Sequence, residues 1–177
     1  DFCLKNNPGC DVVYGDSITS DTPVILKIDN KINIKKISDY FTNNKWEHYD
    51  NFKINDEDLK LISKLTNLQI LNLSFNEIRD ISDLKNLTNL KELKLWSNQI
   101  RDISALENLT NLKELWLGSN EISDISDLKN LTNLQRLYLG ENKISDISDL
   151  ENLTNLQELW LQNNQITDIS DLKNLTN

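Results

Sequence analysis

Glycine, histidine and cysteine are scarce in this chain, and each shortage removes a class of chemistry. Four glycines in 177 residues leave little room for a glycine-rich loop that would cradle a phosphate. The single histidine, His48, and the two cysteines fall short of the four ligands that a structural zinc site needs. The stretch YGDSI, from Tyr14 to Ile18, offers a serine after Gly-Asp, but a serine nucleophile needs a base. His48 follows Lys45-Trp46-Glu47, with no aspartate three residues ahead of it to orient the ring. No catalytic residue, no cofactor and no metal ligand set is read from the chain. A run of ~18 uncharged apolar residues is also missing, so membrane insertion as a helix is not expected. Acidic groups outnumber basic ones, 28 to 19, and the net charge of −9 argues against nucleic acid or an anionic membrane as partner.

The two cysteines, Cys3 and Cys10, enclose LKNNPG, whose Asn-Pro-Gly favours a tight turn. A disulfide closing this loop is the expected reading, and it would place the protein outside the cytosol. The alternative is a pair of exposed thiols.

What the chain has in abundance is one sentence, written five times. From Leu65 it reads LTNLQILNLSFNEIRDISDLKN, and four gapless copies follow at a 22-residue period. The pattern L-x-x-L-x-L-x-x-N-x-I is that of a leucine-rich repeat. In LQILNL, Leu71 and Leu73 alternate with Ile70, Asn72 and Ser74, as in a strand with one buried face. Leu65, Leu68, Ile78, Ile81 and Leu84 complete an apolar set too sparse for one coil to bury alone. Stacked coils merge these sets into one core. The expected fold is therefore an α/β-type leucine-rich-repeat solenoid, with a parallel sheet on the concave face and short 3-10 or helical turns on the convex face.

The columns have separate duties. Asn76, Asn98, Asn120, Asn142 and Asn164 follow each strand and read as a hydrogen-bonded ladder. Ser82, Ser104, Ser126, Ser148 and Ser170 read as N-caps of the convex turns. Asp80, Asp102, Asp124, Asp146 and Asp168 stack beside them; such carboxylates suit Ca²⁺, but turn capping and solubility account for them without a metal. The repeated Asn-Leu-Thr is a glycosylation sequon in form. Its leucine is a core residue, so repeat geometry explains the motif without a glycan.

The unit LTNLxxLxLxxNxIxDISDLKN resembles the 22-residue repeats of bacterial internalins and related surface proteins. The likeness covers residues 65–177 and implies a binding module that is secreted or displayed at the cell surface.

Where such a module would bind is read from the positions the repeat leaves free. Positions 6, 8 and 10 of each coil face outward on the sheet. They carry Glu92, Glu114, Arg136 and Glu158, then Lys94, Trp116, Tyr138 and Trp160, then Trp96, Gly118 and Gly140, with Phe75 one position further. All five aromatics of the repeats fall here, and none takes a core slot. Exposed aromatics in one patch are typical binding anchors. The site read from the sequence is thus Phe75, Glu92, Lys94, Trp96, Glu114, Trp116, Arg136, Tyr138, Glu158 and Trp160, with Gly118 and Gly140 leaving open space beside the rings. Its glutamates suit a protein with basic groups; a carbohydrate stacked on Trp116, Tyr138 and Trp160, or an intracellular regulatory scaffold, are the alternatives.

Residues 1–45 are read as an N-terminal cap with the disulfide loop, 46–64 as an irregular first repeat, and 65–177 as five repeats and the start of a sixth. Within the cap, VILKIDNKINI suggests a hairpin about Asp29-Asn30, and KKISDYFTNN a short helix. In KINDEDLKLISKL, Asn55 can cap a helix carrying Leu59, Ile62 and Leu65 on one face. Because nothing polar or irregular closes the last coil, the parent protein is expected to continue, and the fragment to pair end to end through Leu159–Leu161.

Overall fold

The computed structural model describes residues 23–28, 31–36, 54 and 56–175. The Cys3–Cys10 loop, the helix expected in KKISDYFTNN and the Asn55 cap lie outside them. Strands β1 (Pro23–Ile28) and β2 (Lys31–Lys36) form the expected hairpin, paired antiparallel from Pro23↔Lys36 to Ile28↔Lys31. Helix α1 (Asp56–Ile62) buries Leu59 and Ile62 completely, as its apolar spacing requires.

The repeats coil into a solenoid. Its five-stranded parallel sheet runs in chain order through β3 (Ile70–Asn72), β4 (Glu92–Lys94), β5 (Glu114–Trp116), β6 (Arg136–Tyr138) and β7 (Glu158–Trp160). Each residue pairs with its equivalent one repeat later: Leu71 with Leu93, Leu93 with Leu115, Leu115 with Leu137 and Leu137 with Leu159. The strands are three residues long because the chain turns soon after them. Phe75, Ser97, Ser119, Glu141 and Asn163 all stand in the left-handed region, with φ between 52° and 61°. A residue there turns the chain out of the extended conformation, although main-chain bonds between coils continue as far as it, as from Phe75 N–H to the Trp96 carbonyl.

Leucine and isoleucine columns fill the interior. Leu71, Leu73, Ile78, Leu84, Leu87 and their equivalents in the middle coils have no exposed surface. Leu87, the leucine of the Asn-Leu-Thr motif, is among them, while Asn86 and Thr88 on either side are exposed. The second asparagine of NLTNL has work of its own. Asn89, Asn111 and Asn133 each donate Nδ2 to the threonine carbonyl of the preceding coil at 2.9 Å, at Thr66, Thr88 and Thr110.

The turn asparagines form the expected ladder. Asn120 donates Nδ2 to the carbonyls of Leu95 and Leu117, both at 3.0 Å, and its Oδ1 accepts the Ile100 N–H at 3.0 Å. One buried amide thereby satisfies backbone groups of two coils. Asn98 and Asn142 repeat the pattern.

The serine column corrects the sequence reading. The convex 3-10 turns begin at Ser82, Ser104, Ser126, Ser148 and Ser170, yet none is closed by a serine acting as N-cap. The aspartate two residues earlier does this. Asp80, Asp102, Asp124, Asp146 and Asp168 each accept the serine N–H on Oδ1, at 2.8–2.9 Å. The residue before each serine is an isoleucine, whose side chain is drawn to the core; the shorter reach to the loose N–H belongs to an Asx-type turn.

Candidate functional site

The aromatic column is a ladder of rings across four coils. Trp96 meets Trp116 edge-on at 6.2 Å between centroids; Trp116 tilts over Tyr138 at 4.4 Å; Tyr138 lies 5.7 Å from Trp160. Parallel pairing in register produces this spacing, since Lys94, Trp116, Tyr138 and Trp160 occupy one column of the sheet. Trp96, Trp116 and Tyr138 are half-buried by their neighbours, while Trp160 keeps 50% of its surface exposed.

A polar network runs beside the rings. Glu114 is only 8% exposed, and both of its carboxylate oxygens accept hydrogen bonds. Arg136 donates Nε to Oε2 at 2.7 Å and adds a short Nη2 contact; Trp116 donates Nε1 to Oε1 at 2.7 Å. Lys94 Nζ reaches Glu92 at 2.6 Å and lies 4.9 Å above the Trp116 ring. Tyr138 donates its hydroxyl to Glu158 at 2.8 Å. Burial first, and then that bond, push the Tyr138 phenol up to about 12. Its hydrogen bonds to Glu114 hold Arg136 more firmly in its charged form.

The structure therefore brings together Glu92, Lys94, Trp96, Glu114, Trp116, Arg136, Tyr138, Glu158 and Trp160 on one face. Phe75 stands apart: it is 71% exposed, and its ring stacks on none of the described aromatics. The space expected beside the glycines is filled. A Cβ at Gly118 would lie 2.8 Å from Cε3 and Cζ3 of Trp96, and one at Gly140 would collide with the Gln162 amide. These glycines seat the neighbouring side chains.

Sequence reading missed a charged group on the flank of this face. Glu121 accepts from Arg101 at 2.9 Å and from Lys143 at 3.0 Å, and these bonds, Lys143 foremost, hold its carboxyl below the usual range. The signal was present in part, since Glu121 and Lys143 occupy corresponding places one period apart, whereas Arg101 reaches in from two positions off that column. On the convex side, the serine N–H bonds hold Asp80, Asp124, Asp146 and Asp168 low, whereas burial and neighbouring acids raise Asp127. Among the described residues no helix is long and apolar enough to cross a membrane.

A family model described as leucine-rich repeats matches residues 88–130 and again 132–174, and a second leucine-rich-repeat model matches 64–81; together they span more than half of the chain. Among solved structures, internalin C2 of Listeria monocytogenes is 44% identical with a TM-score of 0.65, over 66% of this chain and 52% of that one. Internalin F of the same species is 43% identical with a TM-score of 0.68, over 70% of this chain and 36% of that one. The chain thus spans about half the length of the first and about a third of the second. The plant peptide hormone receptor RGFR1, solved in complex with RGF2, is 29% identical with a TM-score of 0.59, over 66% of this chain and 20% of that one. A 53-residue stretch is 43% identical to a protein described as DNA polymerase of Acanthamoeba polyphaga mimivirus, covering 29% of this chain and 3% of that one. Stacked repeats with an extended concave surface are protein-interaction scaffolds. The chain belongs to the leucine-rich-repeat family, as an internalin-like bacterial member.

Proposed function

We propose that this chain is a non-catalytic binding module, secreted or displayed at the cell surface, that holds another protein on its concave face. The observation that carries the reading is the continuous ring ladder from Trp96 to Trp160 on the outer side of the sheet. Partly exposed aromatics, rimmed by charged groups that are already paired, are what a protein hot spot offers. A sugar would need free ring faces, and Trp116 and Tyr138 turn theirs to each other. Glu92 and Glu158 lie at the margin, each with one partner on this face, Lys94 and the Tyr138 hydroxyl, whereas Glu114 is held by both Arg136 and Trp116.

The test is retention of partner proteins by the intact chain and by a Trp116→Ala/Trp160→Ala variant. A loss of ~2 kcal/mol or more in affinity is expected. Unchanged retention would refute the concave-face reading, and displacement by soluble polysaccharide would turn it to carbohydrate. Thiol labelling of Cys3 and Cys10 in protein from its natural compartment tests the location, two free thiols favouring an intracellular scaffold.

A further inference from the structure

At Phe75 the fold requires a left-handed turn but not an aromatic side chain in it. Its backbone is left-handed, with φ of 61°, a region that is uncommon outside glycine and asparagine and unfavourable for a bulky side chain. Its ring is 71% exposed. The turn would form without a phenyl group. Ser97, Ser119, Glu141 and Asn163 adopt the same backbone at the equivalent places. The hydrogen bond made there uses only the main chain: Phe75 N–H to the Trp96 carbonyl at 2.7 Å, matched by Ser97 to Gly118 at 3.0 Å and Glu141 to Gln162 at 2.8 Å. Four polar side chains serve the same turn, and the one aromatic rests on no other described ring. A bulky ring held exposed on a left-handed backbone, where four coils use polar residues, points to a use outside the fold.

We infer that Phe75 is an insertion anchor, a ring that enters an apolar pocket on the protein held by the concave face. This rests on the concave-face reading and assigns Phe75 a contact separate from the ladder. The partner is a protein and not a bilayer, because the chain carries a net charge of −9. That charge opposes an anionic membrane surface and a second copy of this chain alike.

The experiment uses the whole chain as wild type, Phe75→Ser and Trp116→Ala/Trp160→Ala. It adds a chain with a photo-reactive benzoylphenylalanine at position 75. If the ring has no duty in the fold, Phe75→Ser melts at or above the wild-type temperature. The proteins retained by wild type and lost by the double tryptophan variant should bind Phe75→Ser about tenfold more weakly. The position-75 cross-link should fall on apolar residues of those same proteins. A melting temperature more than ~2 °C below wild type would place the ring in the fold and overturn the inference. Equal affinity of Phe75→Ser, with binding lost in the tryptophan variant, would overturn it and leave the concave-face reading standing. Equal affinity of both variants would overturn both. Phe75-dependent flotation with phosphatidylcholine vesicles, or Phe75-dependent dimers in sedimentation, would reassign the anchor to lipid or to self-association.

Discussion

Asn98, Asn120 and Asn142 have the same partners in every coil, whereas the column facing out of the sheet changes from Lys94 to Trp116 to Tyr138 to Trp160. Both columns repeat every 22 residues and both are held by parallel register. They differ in what surrounds them. The asparagine is enclosed by backbone carbonyls and N–H groups, so only an amide of that size can satisfy the turn. The sheet column meets solvent on one side, and any residue that tolerates its neighbours is accepted. Identity therefore marks the interior demand, and variation marks the surface available for recognition.

The comparison is tested most severely at Asn120. Asn120→Ala would leave the Ile100 N–H and the Leu95 and Leu117 carbonyls without their side-chain partner. A loss of about 3 kcal/mol in denaturant unfolding is expected, against a much smaller change for Trp116→Ala. Comparable losses would break the distinction between the two columns.

Gly118→Ala should have an intermediate effect. Its Cβ would come within 2.8 Å of the Trp96 indole, so the ring must swing away from Trp116. About 1 kcal/mol of destabilisation and a changed tryptophan fluorescence spectrum are expected. An unchanged spectrum would show that Trp96 does not depend on the glycine.

Tyr138 offers a probe by pH. Its phenol ionises near 12 instead of 10.0. Because the folded value is raised, the stabilisation is fully present below pH 10 and is lost as pH rises towards about 12. Wild type should lose stability more steeply across that window than Tyr138→Phe, with phenolate absorbance appearing correspondingly late. Parallel slopes would contradict the burial and the Glu158 bond.

Asp124→Ala should change least. The Ser126 bond holds this carboxyl below 3.8, so its contribution is present above that pH and fades as the carboxylate protonates. A slight loss of stability at neutral pH, smaller at pH 3, is expected, with partner retention intact. A clear loss of binding would move the site towards the convex side.

Much of this was legible in the chain. The five-fold repeat, the core columns, the asparagine ladder and the outward position of every repeat aromatic follow from a fixed period, because a repeat that cannot bury its apolar face alone has few ways to stack. The spacing suggests capping for both Ser82 and Asp80 and their equivalents, and only the aspartates hold it. Both residue types cap turns, and only the backbone angles at Ile81 show which oxygen reaches the free N–H. The outer asparagine ladder was also missed, since Asn89 and Asn86 look alike in NLTNL until one is seen to meet the preceding coil.

The sequence by itself determined the period, the parallel register and which residues are barred from the interior, since these depend on side-chain spacing along one coil. Tertiary structure decided which carboxylate is occupied, which ring is covered and what fills the place of a missing Cβ. Those outcomes depend on side chains 20 to 25 positions apart meeting across stacked coils: Arg136 closing on Glu114, Trp96 settling over Gly118, and Phe75 left without a partner among the described rings. Rotamer and reach decide such meetings, and neither is written in the period.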